Sequence, residues 1–413
     1  MESNHERIHA LDALRATMLL LGVVLHIALT YSVEGWGSGW PLKDLEASTN
    51  IADHAFYFIH YFRMPIFFIL AGFFSALLYM RGGILGLIKN RCLRIGIPFF
   101  IGIIILYPLV YFSFVFSVKA NYLSIFNDNA SSIVGASKYL YRSVSVADIF
   151  PPDNTTHLWF LYYLLYFYMA MIPLIIIARS CKNSWLQQVK FLFTYLLARP
   201  IFRIVLLSLM TAYVIFPAGG GILRLANRFS LDIDIFFAYF TFFGFGWMLF
   251  YSKDLLEQFK QYAWLQVLLA CCIYLILSFW VWPNIFNPGL ISGLNNYIVT
   301  SILASVLVWL MFFGLTGLFL RYLDFPSKYV RYMVDASYWI YLIHLPVTVC
   351  IPGLIVATGL SAGVKIIIVL FGTIAFGVIT YDILVRSTFV GVILSGKRYH
   401  RGLPREKDIT YPG

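Results

Sequence analysis

Apolar stretches of about twenty residues recur along the whole chain and are separated by short polar segments. A helix needs roughly 20 apolar residues to cross about 30 Å of hydrocarbon. The pattern predicts ten membrane-spanning helices, near residues 11–32, 55–80, 95–117, 157–178, 200–217, 230–251, 262–282, 296–320, 334–356 and 363–385. We therefore expect an all-α polytopic membrane protein whose residues 1–395 form one transmembrane domain.

Lysine and arginine are concentrated in alternate connecting segments. The second, fourth, sixth and eighth connections are basic, as is the C-terminal tail 396–413, whereas the seventh and ninth connections carry no charge. By the positive-inside rule, this asymmetry predicts that both termini and the tail lie in the cytoplasm. The long segment 118–156 would then lie outside, where it could cover an outward-facing site.

The composition agrees with a protein embedded in the bilayer. Hydrophobic residues make up 61% of the chain and charged residues only 12%, with a mean hydropathy of +0.81. The net charge of +11 is scattered between apolar segments, which argues against nucleic acid as a partner. The five cysteines form no CxxC pair, so we expect neither a disulfide framework nor a metal site.

The first apolar stretch, "LDALRATMLLLGVVLHI", carries three ionisable residues. Arg15 and His26 are three turns plus about 20° apart, so they project from the same helix face, roughly 16 Å from each other. Asp12 shares that face and could orient Arg15 through a local ion pair. Charges inside a membrane cost several kcal/mol, so such residues suggest a functional site. We interpret His26 as a catalytic candidate, and a histidine that only bridges helices is the alternative.

Three more histidines lie at the outer to middle depth of other predicted spans. His60 and Arg63 share a face of the second helix, His157 begins the fourth, and His344 lies in the ninth. Neutral imidazole can exchange a proton near pH 7, which suits general-base work on a hydroxyl. Each of these histidines could instead make a structural hydrogen bond, and Arg63 could be the structural partner of a buried carbonyl or acid.

The stretch "KNRCLRIGIP" places Lys89, Arg91 and Arg94 just before the third span. Arg91 and Arg94 are three residues apart, and two guanidinium groups on one face match the geometry of phosphate oxygens. The alternative is that they are ordinary positive-inside residues. Taken with the histidines, the pattern suggests a phosphate-bearing donor held inside and an acceptor reached from outside, which is transmembrane group transfer.

Five motifs resemble those of the acyltransferase 3 family in order and spacing. They are "LDALR", "FRMPIFFILAGFF", "RCLRIGIP", "HLWFL" and "SYWIYLIHLP", and the resemblance covers about residues 7–400. The stretches "FIHYFRM", "HLWFL" and "LSGK" resemble most the branch that succinylates osmoregulated periplasmic glucans. One departure is Ala71, which stands where the family usually has a serine, so any role of that hydroxyl is lost or displaced.

The resemblance implies a bacterial inner-membrane enzyme that moves a succinyl or acetyl group from cytoplasmic acyl-CoA to a hydroxyl of a periplasmic or cell-surface glycan. It implies that His26 is catalytic with Arg15 as its partner, and that Arg91 and Arg94 contact the CoA phosphates. Acyl-CoA would be a co-substrate, and the resemblance implies neither a bound cofactor nor a metal. Asp12 would support Arg15, and Lys89 would assist the donor site.

The acceptor pocket would contain His60, Arg63, His157, Trp159 and His344. Arg63 is our candidate for a cation that recognises the succinyl carboxylate. Trp159, Tyr162 and Trp339 could stack on sugar rings, although an interfacial aromatic belt would also explain them.

Two alternatives remain open at the level of the sequence. One is an O-acetyltransferase that acts on lipopolysaccharide or exopolysaccharide. The other is a transporter of small anions or lipid-linked sugars that uses the same buried arginine and histidine residues. The sequence also leaves open whether acyl transfer is direct or passes through an acyl-enzyme.

Overall fold

The structure is a computed structural model that describes residues 8–141, 145–151, 153–217, 223–224, 226, 228–286, 293–396 and 398–403. The described part is all-α. Its α-helices are α1 (His9–Thr30), α2 (Asn50–Arg91), α3 (Ile97–Ser124), α4 (Asn129–Lys138), α5 (Val146–Ile149), α6 (Trp159–Ser180), α7 (Asn183–Leu197), α8 (Pro200–Ile215), α9 (Ile233–Phe250), α10 (Ala263–Phe286), α11 (Gly293–Tyr322), α12 (Lys328–Leu354), α13 (Ala362–Thr380) and α14 (Phe389–Ser395). Short 3₁₀-helices at Gly37–Gly39, Tyr139–Tyr141, Thr156–Leu158 and Lys253–Lys260, and π-helices at Cys92–Gly96 and Tyr381–Arg386, join them.

Several of these helices are long and apolar enough to cross a membrane. In the described residues there are seven of them, or nine if each of two bent helix pairs, α7 with α8 and Lys253–Lys260 with α10, counts as one span. One of the seven is the 75-residue helical stretch Asn50–Ser124, which contains the two spans expected at residues 55–80 and 95–117. The chain is therefore a multi-pass membrane protein, while the count of ten and the cytoplasmic side of the termini stay predictions.

The connection expected between the second and third spans is not a loop. Helix α2 continues to Arg91, and the π-helix Cys92–Gly96 leads directly into α3. The chain changes direction inside α2 instead, at Gly83, whose φ of 61° and ψ of −164° are not helical. Glycine accepts this conformation because it has no Cβ. The expected polar connection is thus a helical arm with a kink.

Helix α1 lies inside the bundle, between α2 and α12. Its Ala- and Leu-rich sequence favours a helix, and 15 of its 22 residues are buried. The first turn has no N-cap side chain of its own, but the backbone N–H of Ala10 donates to the Asp324 carboxylate at 3.1 Å. The polar side chains of α1 therefore face protein rather than lipid.

Helices α2 and α9 cross at backbone contact. A Cβ on Gly72 would overlap the carbonyl oxygen of Phe243, and a Cβ on Gly246 would overlap that of Ile69. Small residues allow membrane helices to approach this closely. The glycine of the motif "FFILAGFF" is thus required by packing, and the crossing fixes α2 against the rest of the bundle.

Candidate active site

A cavity of about 290 Å³ opens among the helix ends where α1 and α12 begin and α2 ends. We call this end of the bundle the basic end. Six basic side chains and two carboxylates line the cavity: Arg15, Arg81, Arg91, Arg94, Lys253, Arg331, Asp12 and Asp335. The excess of positive charge makes the cavity suitable for a ligand with several negative charges.

Two of the expected site residues on α1 lie in this cavity and contact each other. Arg15 Nη2 lies 3.4 Å from Asp12 Oδ1, which agrees with the ion pair expected from their spacing. The Arg15 guanidinium also lies over the ring of Phe74, 4.9 Å from its centroid. These contacts hold Arg15 on the face of α1 that lines the cavity.

Arg91 and Arg94 line the same cavity but are held by different elements. Arg91 donates to the Ser75 hydroxyl at 3.1 Å and lies over the Tyr168 ring, 5.1 Å from its centroid. Arg94 donates to the backbone carbonyl of Ser395 at 3.1 Å. Each guanidinium therefore retains N–H groups for a ligand after making its contact with the protein.

Lys89 differs from the two arginines. Its side chain is exposed and lies outside the cavity lining. The physical reason is that α2 remains helical up to Arg91, so that Lys89 points away from the face that carries Arg91. The structure gives Lys89 no direct part in the cavity.

A second part of the basic end was not predicted from the sequence. Arg331 Nη2 lies 3.0 Å from Asp335 Oδ1, and both side chains are buried in the cavity wall. Arg331 also donates to the Tyr399 hydroxyl at 3.3 Å, and Arg386 donates to the carbonyl of His400 at 2.7 Å. The i, i+4 spacing of Arg331 and Asp335 is the sequence feature that could have predicted this ion pair. The tail residues 398–403 lie against this cluster.

Three of the four predicted histidines meet in the opposite half of the bundle, which we call the histidine end. The ring centroid of His344 lies 5.1 Å from that of His26 and 5.2 Å from that of His157. His60 stacks on Phe56 at 5.4 Å instead, and lies close enough to His26 to interact electrostatically. The cluster therefore joins residues from α1, α12 and the segment that begins α6.

The hydrogen bonds of these histidines distinguish their roles. His157 Nε2 and His60 Nε2 each donate to a backbone carbonyl at 3.0 Å, those of Leu342 and Leu223. His344 Nδ1 donates to the carbonyl of Tyr341 at 2.6 Å, while its buried Nε2 has no partner in the part of the chain that the structure describes. His26 Nδ1 has no hydrogen-bond partner among the described residues. His60 Nδ1 likewise has no partner there, so His26 differs in another way: a backbone carbonyl holds each of the other three rings, and among the described residues no such bond holds His26.

Arg63 lies between the cavity and the histidine cluster. Its guanidinium packs against Gly22, where a Cβ would overlap Nη1. Gly22 is one helical turn from His26, whereas Leu19, three residues earlier on α1, lines the cavity. On α2, Phe67 lines the cavity one turn from Arg63. A group passing from the cavity to His26 would therefore meet the Arg63 side chain.

No carboxylate among the described residues pairs with Arg63. Arg63 is 8% exposed, and its Nε has no hydrogen-bond partner within the described ranges. Its electrostatic neighbours include the phenol groups of Tyr341 and Tyr239. A buried cation is costly unless it is paired, so the site is suited to an anion that arrives with a ligand.

The three aromatic residues proposed to stack on sugars are positioned for other contacts. Trp159 is 5% exposed and packs on Tyr239 in the core. Tyr162 donates to the carbonyl of Phe229 at 2.7 Å. Trp339 donates to the Thr380 hydroxyl at 3.0 Å, on the side of His344 toward the basic end. The membrane depth predicted for a residue does not give the orientation of its side chain, because it leaves the rotation of each helix about its axis undetermined.

The aromatic residue that contacts His26 is Trp40, in the segment between α1 and α2. Its indole stacks on the imidazole with centroids 5.4 Å apart and an angle of 23°. Segment 31–49 covers the histidine end here, although the longer segment 118–156 was expected to cover the site. Segment 31–49 contains no α-helix, so the sequence has no periodicity from which the position of Trp40 could be predicted.

The start of this segment is held by polar contacts. Asp53 accepts hydrogen bonds from the Ser32 hydroxyl and from the backbone N–H of Val33, the latter at 2.9 Å. Burial raises the pKa of the Glu34 carboxyl, and the hydrogen bond from the Tyr57 hydroxyl acts in the opposite direction. These bonds tie the segment to the beginning of α2.

Comparison with known proteins identifies the family of the chain. The family model described as "Acyltransferase domain", which is that of acyltransferase 3, matches residues 8–382. The chain belongs to the acyltransferase 3 family. Relatives include glucans biosynthesis protein C of Salmonella paratyphi B (strain ATCC BAA-1250 / SPB7) and of Salmonella enteritidis PT4 (strain P125109). Each is 26% identical over 394 residues, which cover 95% of this chain and 95% of the relative. No solved structure matches the chain.

The acyltransferase 3 motif that contains Ala71 lies on α2 beside a serine. Ser75 lies one turn beyond Ala71 on α2, with its hydroxyl hydrogen-bonded to the Ala71 carbonyl and to Arg91. This chain thus has a hydroxyl one turn closer to the basic end than the usual family motif has. In this chain the hydroxyl of Ser75 contacts a cavity arginine, Arg91.

Among the described residues, no group of three or more His, Cys, Asp or Glu side chains could hold a metal ion.

Proposed function

We propose that this acyltransferase takes an acyl group from acyl-CoA bound in the basic cavity and transfers it to a hydroxyl of a glycan at the histidine end. The observation that carries the proposal is the arrangement along α1. Arg15 and Leu19 line the cavity, Gly22 accommodates Arg63, and His26 follows one turn later. A donor site and a candidate base are therefore connected through one helix.

The charges of the cavity fit the phosphates of CoA. Six basic side chains surround it against two carboxylates, and charge-assisted bonds from arginine to phosphate oxygens are among the strongest polar contacts. Arg91 and Arg94 are the primary candidates for these contacts, as the sequence suggested. Arg331 and Arg81 extend the same basic surface.

The acyl group would reach His26 past Arg63. His26 stands seven residues beyond Leu19, or about 10 Å along the helix. The thioester end of the donor would cover this distance between α1 and α2 while the phosphates remain at the basic end. Phe67 and Leu19, at the deep end of the cavity, would have to admit the pantetheine arm.

In the direct route, the free imidazole nitrogen of His26 removes the proton from a glycan hydroxyl. The hydroxyl oxygen attacks the thioester carbonyl, a new C–O bond forms, and the C–S bond breaks. The CoA sulfur leaves with the electron pair and receives the proton from the imidazolium. In the alternative route, an imidazole nitrogen of His26 attacks the thioester carbon, the C–S bond breaks, and CoA leaves as the thiolate. The glycan hydroxyl oxygen then attacks the acyl-imidazole, the C–N bond breaks, and the hydroxyl proton ends on the CoA sulfur.

We further propose succinyl as the acyl group and osmoregulated periplasmic glucans as the acceptor, with the protein in the bacterial inner membrane. The similarity to glucans biosynthesis protein C over 95% of the chain supports a glucan acceptor. Arg63 is buried and has no carboxylate partner among the residues that the structure describes, which supports an acyl group that brings its own negative charge. Acetyl transfer to lipopolysaccharide or exopolysaccharide is the alternative within the enzyme class.

The proposal can be tested with the full chain in proteoliposomes. Labelled succinyl-CoA or acetyl-CoA is supplied with purified periplasmic glucan, and the label in the glucan is measured. Label that depends on wild-type protein and is lost in His26→Ala supports the proposal. Movement of small anions or lipid-linked sugars across the vesicle membrane, without any acyl transfer, would favour the transporter alternative.

The role of Arg63 has a separate test. Arg63→Gln is compared with Arg203→Gln, because Arg203 is also buried but donates to the Leu197 carbonyl and stacks on Phe259 away from the cavity. We expect Arg63→Gln to abolish succinyl transfer and retain acetyl transfer, whereas Arg203→Gln affects both donors alike. If Arg63→Gln folds but loses transfer from both succinyl-CoA and acetyl-CoA, Arg63 has a structural role only.

A further inference from the structure

Trp40 contacts the candidate base directly but takes part in none of the steps described above. The indole lies nearly parallel to the imidazole of His26, with 5.4 Å between the centroids. Face-to-face contact of this kind restricts the plane of the ring and leaves the nitrogens, which lie at its edge, free. Trp40 is itself 6% exposed, so its indole separates this face of the imidazole from the surroundings.

The position of Trp40 is set by contacts on both sides. Its indole N–H donates to the Thr30 hydroxyl at 3.1 Å, and Phe114 of α3 meets the ring edge-on at a centroid distance of 5.1 Å. Thr30 is the last residue of α1, one turn beyond His26. The side chain is therefore fixed to the same helix as the imidazole on which it stacks.

A buried ion pair anchors the chain just after Trp40. Lys365 Nζ lies 2.8 Å from Asp44 Oδ2, and the two side chains are 0% and 2% exposed. Lys365 also donates to the Val356 carbonyl at 2.6 Å, and Asp44 Oδ1 accepts the backbone N–H of Ala47 at 3.0 Å. Breaking a buried pair leaves an uncompensated charge and is strongly unfavourable. The pair thus links the segment that carries Trp40 to the start of α13.

We propose that Trp40 is a positioning residue that fixes the imidazole plane of His26 and keeps water from replacing the glycan hydroxyl. The inference rests on the proposed acyl transfer. Without the indole, water can take the place of the acceptor: its oxygen forms a bond to the acyl carbon, the C–S bond breaks, and His26 passes the proton from water to the CoA sulfur. The products are free carboxylic acid and CoA instead of acylated glycan.

The experiment measures how the acyl group is partitioned between the two products. Full-length protein in proteoliposomes is given labelled acyl-CoA with and without glucan, and free acid and acylated glucan are quantified together. The energy of an aromatic pair corresponds to a rise of roughly 2- to 10-fold in the ratio of free acid to acylated glucan for Trp40→Ala. Trp40→Phe retains an aromatic face and is expected to keep the wild-type ratio.

Trp36→Ala is the matched control. Trp36 belongs to the same segment, but its ring packs on Phe56 and Tyr57 rather than on His26. Its ratio is expected to stay at the wild-type value. If Trp40→Ala does not fold, Trp40→Leu keeps the apolar bulk without the aromatic face and is expected to raise the ratio in the same way.

The possible failures are distinguishable. A wild-type ratio in the folded Trp40→Ala or Trp40→Leu protein, or an equal rise in Trp36→Ala, overturns the role of Trp40 while acyl transfer itself stands. Absence of acylated glucan with the folded wild-type protein overturns the proposed function on which this inference rests.

Discussion

Replacing Gly22 by alanine moves Arg63 without changing any charged residue. A Cβ at this position would overlap Arg63 Nη1 and lie 3.4 Å from Cζ. The guanidinium is the flexible end of its side chain, so it can shift, but it is buried and has little room to do so. Gly22→Ala therefore perturbs the layer between the cavity and His26 more selectively than removal of the arginine.

Gly22→Ala affects the stability of the protein and the rate of succinyl transfer by separate amounts. Alanine gains roughly 1 kcal/mol of helix propensity over glycine, and forced displacement of a packed neighbour costs about 1–3 kcal/mol. The net loss of stability is therefore at most about 2 kcal/mol, and the protein should fold. A hydrogen bond to a charged group, such as that proposed between Arg63 and the succinyl carboxylate, contributes about 1.5–3 kcal/mol, and the displaced guanidinium would lose it. We expect kcat/KM for a succinyl donor to fall by about 10- to 150-fold.

The assay compares succinyl-CoA with acetyl-CoA at matched amounts of folded protein. Acetyl carries no carboxylate for Arg63 to pair with, so its kcat/KM should change little. Gly244→Ala in α9 is the control, because a Cβ there meets no atom within 4 Å. An equal loss for both donors would refute carboxylate recognition by Arg63, and so would an unchanged succinyl rate.

Two further predictions test the donor cavity and the helix crossing. Arg94→Gln removes a cation from the cavity wall, so KM for acyl-CoA should rise by about 10-fold with a smaller change in kcat; the exposed Lys190→Gln is the control, and an unchanged KM would remove Arg94 from the donor site. Gly246→Ala places a Cβ against the backbone carbonyl of Ile69, which cannot move away as a side chain could. Thermal unfolding should therefore show a free energy of unfolding that is lower by about 3 kcal/mol or more. A Tm like that of Gly244→Ala would contradict the close crossing.

The sequence predicted the helices well because a helix in lipid must be apolar over its full length. One departure is the region after residue 80, where Arg81, Lys89 and Arg91 suggested a loop, and another is the connection before residue 200, where α7 forms a bent pair with α8. A helix that leaves the hydrocarbon can continue with polar residues, and hydropathy alone does not show where it ends. The kink at Gly83 depends on one backbone conformation that the pattern does not specify.

The candidate site was predicted in part. Asp12, Arg15 and His26 were found because their spacing on one helix decides which face they share. Contacts between helices could not be predicted in this way, because the space that Gly22 leaves for Arg63 depends on how α1 and α2 pack. The stack of Trp40 on His26 requires the path of a non-helical segment, which has no periodicity to interpret.

The most direct measurement is the acyl content of periplasmic and surface glycans, determined by mass spectrometry in cells that carry the wild-type chain or His26→Ala at equal membrane abundance. Acyl transfer through His26 predicts glycans with the added mass of a succinyl or acetyl group in the wild type only. Identical glycan profiles from the two strains, with both proteins folded in the membrane, would contradict it.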